Sequence, residues 1–186
     1  MDVQELMKKI EDKDDKVRAA AVLKAGEAGA AAVKQLARIT ASGEMEVARA
    51  AKNALWRIVR HAGRRGADSE RQSVVSELLP LCGNGQPTAL RREVLWMLSE
   101  IAGDEAVIVI SPLLADPEVR EDARMALQRL PGEKSLAALQ AALASVPDDY
   151  KPNVAVSLRQ RGVQVAGYPS GKLVPTRATK VAPVGR

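Results

Sequence analysis

Apolar positions along the chain repeat on one template: an apolar residue, a small or apolar one four positions later, and another four positions after that. Five segments fit it: Val17, Ala21 and Ala25; Val47, Ala51 and Leu55; Leu90, Val94 and Leu98; Val119, Ala123 and Leu127; and Tyr150, Val154 and Leu158. The first slot advances by 30, 43, 29 and 31 residues from copy to copy. Spacing by fours is the signature of an amphipathic helix. A recurrence of some thirty residues signals a stacked array, because one such unit cannot bury its apolar face alone.

Between the template segments lie five partner segments, residues 2–11, 28–41, 69–81, 105–114 and 133–146, in which apolar residues again recur at three and four. Each template and partner would form a helical hairpin. Gly26, Gly29, Gly43, Gly63, Gly83, Gly103, Gly132 and Gly162 fall at or near the ends of the expected helices, where a residue able to take positive φ closes the last turn. Asp116, Pro117 and Glu118 read as a helix start, and Asp148 and Asp149 repeat the cap before the fifth copy. Pro80 and Pro112 fall inside expected partner helices, where a proline costs about 3 kcal/mol or a kink. Residues 106–110, Ala-Val-Ile-Val-Ile, are β-branched enough for a strand but have no strand to pair with, so they are assigned to a helix. The long 43-residue step places a basic loop around residues 60–72, with Arg60, His61, Arg64, Arg65 and Arg71.

The string Asp116-Pro117-Glu118-Val119-Arg120 followed by Ala123, Ala126 and Leu127 resembles the HEAT repeat, in its short bacterial form of some thirty residues, as do Val17-Arg18-Ala19-Ala20-Ala21 and Ser111-Pro112-Leu113-Leu114. The resemblance covers residues 2–162. It implies an all-α fold, a right-handed α-solenoid of five HEAT-like helical hairpins with an irregular C-terminal tail. It also implies a ladder between successive repeats, with aspartates at Asp14 or Asp15, Asp116 and Asp148 and basic residues at Arg18, Arg91, Arg120 and Lys151, interrupted at Ala48. The family serves mostly as protein-binding scaffolds and occasionally as enzymes, so the resemblance speaks for the fold more than for the function.

On a helical wheel the seventh template position points about 150° away from the buried wedge. It holds Leu23, Asn53, Trp96, Met125 and Val156, while the sixth position adds Val22 and Leu95 and the tenth adds Trp56. This column is either an apolar stripe along the concave face, rimmed by Arg49, Arg92, Arg124 and Arg129, or a set of side chains covered by neighbouring template helices. On the first reading Leu23, Trp56, Trp96, Met125, Val156, Arg49, Arg92 and Arg124 bind a partner protein or peptide, with the tryptophans as anchors whose loss costs binding and little stability.

Composition narrows the chemistry. The chain has no Phe, two Trp, two Tyr, one His and one Cys among 186 residues. The core must therefore be aliphatic, and a multi-cysteine or multi-histidine metal site is excluded. His61 reads as a solvated loop residue and Cys82 as a buried thiol, and no nucleophile and base, phosphate loop or carboxylate pair suggests an enzyme or a cofactor. Net charge is +5, of which Lys172, Arg177, Lys180 and Arg186 supply +4 in a tail without acids, leaving the body nearly neutral. That balance disfavours nucleic acid. Two alternatives remain under the resemblance: a HEAT-fold nucleic-acid binder or alkylpurine DNA glycosylase, and a chaperone-like bilin lyase subunit. No apolar run could cross a membrane, and the N-terminus lacks a secretory pattern, so a cytoplasmic location is expected. Residues 1–162 should form the array. In the basic tail, residues 163–186, the stretch 163–174 should cover Val154 and Leu158 and the rest should stay mobile.

Overall fold

The computed structural model describes residues 2–169. They form α1 (Val3–Ile10), α2 (Asp15–Lys24), α3 (Val33–Ser42), α4 (Met45–Ala62), α5 (Asp68–Leu78), α6 (Thr88–Ile101), α7 (Asp104–Ile110), α8 (Arg120–Arg129), α9 (Glu133–Ser145) and α10 (Lys151–Gln160). Short 3₁₀ turns occupy Ala25–Ala28, Ala30–Ala32, Leu79–Cys82 and Ser111–Ala115. No strand occurs among the described residues, and residues 106–110 lie in α7. No described helix is long and apolar enough to cross a membrane.

The template explains the packing. Its slots are buried in every copy except at Val17 and Val47, which are half-buried. The even-numbered helices pack each on the next, from α2 to α10, and each odd-numbered helix packs on the even one that follows it. The result is one continuous aliphatic core running from Leu6 to Leu158.

Local chemistry corrects several expectations. Neither proline interrupts an α-helix: α5 ends at Leu78 and α7 at Ile110, and Pro80 and Pro112 each open a 3₁₀ turn, where the missing N–H has no partner to lose. The basic loop shrinks to residues 63–67, because Ile58, Val59 and Ala62 continue the buried face of α4 past Arg60 and His61, and Arg71 belongs to α5. The aspartate before α8 works one turn early. Asp116 accepts from the Glu118 N–H at 3.0 Å, and the α-helix begins only at Arg120. Asp148 forms an ion pair with Lys151 at 2.6 Å, and α10 has no side-chain cap. The capping carboxylates are Asp2, accepting from Gln4 N–H at 3.0 Å, and Asp14, accepting from Lys16 N–H at 2.8 Å.

Among the eight glycines expected to close helices, Gly29, Gly132 and Gly162 take positive φ. Gly26 answers a different need: a Cβ there would lie 2.9 Å from the His61 Cβ, so only glycine lets this turn meet α4. The implied ladder has one inter-hairpin rung among the described residues, Arg91 to Asp116 at 2.6 Å. Arg18 stays within its own hairpin, bonding Asp15 and the carbonyls of Asp12 and Lys13, while Arg120 stacks on the Tyr150 ring.

Gly162, at φ 83°, turns the chain out of α10. Val163 and Val165 then pack against the core that contains Val154 and Leu158. The Arg159 guanidinium donates to the carbonyls of Val165, Gly167 and Tyr168 at 3.2, 2.6 and 2.8 Å, fixing this segment. The expectations for residues 170–186 lie outside the described residues.

Candidate functional site

The outward column expected along α2, α4, α6, α8 and α10 divides in two. At the α2 end it is open: Leu23 is 66% exposed and Asn53 is exposed on the facing helix. From α6 onward Trp96, Met125 and Val156 are half-buried, as are Val22 and Trp56. Leu95, placed in the column by its register, is wholly buried, since α6 packs against both α4 and α8.

Both indole N–H groups are engaged by carboxylates of the next template helix. Trp56 donates to Glu93 at 2.7 Å, with the Lys52 ammonium 3.9 Å from the same carboxylate. Trp96 donates to Asp122 at 2.9 Å, and Arg92 meets the other carboxylate oxygen at 2.9 Å. An arginine stacks on each ring, Arg60 at 5.1 Å from Trp56 and Arg129 at 5.9 Å from Trp96. The rings are thus ties between successive helices. The pattern is visible in the sequence once known: a basic residue, a tryptophan four positions later on the same helix face, and a carboxylate at the fourth template position of the next copy. No single helix reveals it, because donor and acceptor come from different copies.

Of the expected basic rim, Arg49, Arg92 and Arg129 are exposed. Arg124 is not, with 6% of it accessible. It reaches inward between α8 and α10, donating to Ser157, Gln128 and Glu121. Burial opposes its charge, but the Glu121 carboxylate outweighs that and holds the guanidinium above its ordinary range. A residue so enclosed cannot rim a groove. Tyr150 completes the cluster by donating to Glu121 at 2.7 Å.

The open end forms a cleft of about 290 Å³ between α2 and α4. Ala19, Val22 and Ala50 line its floor, Leu23 and Asn53 its lip, and two ion pairs flank it: Arg18 with Asp15, at 3.1 Å, and Arg49 with Glu46. The floor is apolar and the charges balance. Such a cleft suits an aliphatic side chain and the polar backbone around it.

The remaining singled-out residues take quieter places. His61 sits in the last turn of α4, 3.9 Å from Glu70. Burial pushes the Cys82 thiol up to about 12, only partly offset by Arg91, so it stays protonated and unreactive. The basic stretch is largely paired: Arg60 with Glu100 at 3.9 Å, Arg64 with Glu70 at 2.5 and 2.8 Å, and Arg71 with Glu105 at 2.9 Å. Among the described residues no group of three or more His, Cys, Asp or Glu side chains could hold a metal. Compared with known proteins, the chain matches no family model and no curated protein.

Proposed function

We propose that the chain is a HEAT-like, right-handed α-solenoid of five helical hairpins that acts as a non-enzymatic protein-interaction module in the cytoplasm. Its partner inserts an aliphatic side chain into the cleft between α2 and α4. The observation that carries this reading is Leu23, a large apolar side chain two-thirds exposed at the lip of an apolar-floored cleft, where neither burial nor a structural bond accounts for it. The helix-on-helix packing order supports the solenoid. The tryptophans recede from the role of anchors, since their N–H groups are used inside the fold. Nucleic acid is the weaker alternative, because Arg49, Arg60 and Arg64 of α4 and its following turn are paired with Glu46, Glu100 and Glu70.

Affinity capture with the wild-type chain and with Leu23→Asp, both checked for helicity by circular dichroism, tests the reading. A protein held by the wild type and lost by the variant is the expected result. Identical captured sets would defeat the cleft. Duplex-DNA titrations at several salt concentrations separate the alternative, for which binding falls steeply as salt rises.

A further inference from the structure

A second surface lies on the side of α2 turned away from α4. There a cleft of about 320 Å³ is floored by Val17, Ala20 and Ala21 and rimmed by Lys9 of α1 and Lys16 and Lys24 of α2. No carboxylate lines it. Lys9 is held by Glu5 at 2.6 Å, but Lys16 and Lys24 are exposed and form no ion pair among the described residues. The clefts beside α4, by contrast, mix acids with bases. Positive charge concentrated around a small apolar floor is an arrangement that intramolecular pairing leaves unsatisfied.

We propose that this surface docks an acidic amphipathic helix of a partner protein. Val17, Ala20, Ala21 and Lys24 recur at three and four along α2, so the surface offers a helical ridge and groove. Ala20 lets another backbone come close. Lys16 and Lys24 stand two turns apart, about 12 Å along the axis, which matches carboxylates two turns apart on a helix laid alongside. Aspartates or glutamates flanking small apolar residues would meet both lysines while covering Val17 and Ala20. The chain's own tail is the wrong occupant: residues 170–186 hold four basic residues and no acid. A bilayer fits poorly as well, because the large exposed apolar side chains, Leu23, Met45 and Ile108, are not among the residues lining this cleft. The proposal does not rest on the cleft between α2 and α4, which lies on the opposite side of α2.

The probe is a fluorescein-labelled synthetic helix with an alanine and leucine stripe flanked by glutamates, titrated against the full chain beside a counterpart flanked by lysines. The glutamate peptide should bind at least tenfold more tightly than the lysine peptide and weaken as salt rises. Its affinity should fall about tenfold or more in the Lys16→Glu, Lys24→Glu double variant, less in the corresponding glutamine variant, and not at all in Leu23→Asp. Both lysines are exposed, so helicity should survive, and circular dichroism verifies this. Absence of glutamate-peptide binding, equal affinity for the two peptides, or an unaffected double variant overturns the proposal. So does tighter binding to phosphatidylserine vesicles than to the peptide, or self-association in sedimentation that the double variant abolishes. Loss of binding in Leu23→Asp would instead place the peptide in the other cleft.

Discussion

Asp122 is only 6% exposed, and burying a carboxylate is costly unless its oxygens accept hydrogen bonds. Trp96 serves one and Arg92 the other. Trp96→Phe keeps a ring in place and removes one donor, so the cost is that of a buried acceptor left short, about 1–3 kcal/mol. In a chain of this length each kcal/mol lowers the melting temperature by about 2–4 °C. Thermal or urea unfolding should therefore show Trp96→Phe clearly less stable than the wild type, and a neutral result would mean that Arg92 alone satisfies Asp122. That outcome would be the opposite of a binding anchor whose loss costs little stability. A helical wheel points the ring, which is half-buried, away from the core wedge and is blind to the carboxylate 26 residues further on that turns it into a tie.

Two helix ends in this fold, those of α6 and α8, are finished by arginines from elsewhere in the chain. Arg161, just past α10, donates to the carbonyls of Leu127, Leu130 and Gly132 at 3.2, 2.8 and 2.9 Å, closing the C-terminal end of α8 where unpaired carbonyls and the negative end of the dipole favour a cation. Arg71 does the same for the Ile101 carbonyl at the end of α6. Arg161→Ala should cost about 1–3 kcal/mol, and Arg161→Lys should recover only part of it, since an ammonium cannot reproduce the planar fork that spans several carbonyls. Urea midpoints of the three proteins check this, and equal midpoints would show that water replaces the guanidinium without loss. The period of the apolar positions made the helices legible except α7, whose β-branched residues 106–110 are assigned to a helix only for want of a strand partner. Boundaries were less so: Asp116 looks like a cap but closes a turn before α8, and α4 outlasts its expected end because Ile58, Val59 and Ala62 keep the apolar face going. Caps supplied from thirty residues away leave no mark on the segment they close.

Across the whole molecule the joints between hairpins are unequal. Lys52, Trp56 and Arg60 tie α4 to α6, Arg91, Arg92 and Trp96 tie α6 to the fourth hairpin, and Arg124, Gln128 and Arg161 join α8 to α10 and the turn after it. Among the described residues α1 and α2 make no hydrogen bond or ion pair to another hairpin. Leu6, Ile10, Ala21 and the close approach of Gly26 to His61 hold them by apolar contact. Small residues such as Ala21 and Gly26 let α2 and the turn after it pack closely on α4, but this joint has no polar tie. Local opening should start there, because this joint lacks the hydrogen bonds and ion pairs that hold the others. In native-state hydrogen exchange, the amides of α1 and α2 should exchange at least about tenfold faster than those of α6 and α8, a difference of about 1.4 kcal/mol in opening free energy. Uniform protection from α1 to α8 would instead show one cooperative unit. Both candidate binding surfaces border α2, so a ligand on either should slow exchange in α1 and α2 selectively, by the mass-action stabilisation of the closed hairpin, and leave α8 unchanged.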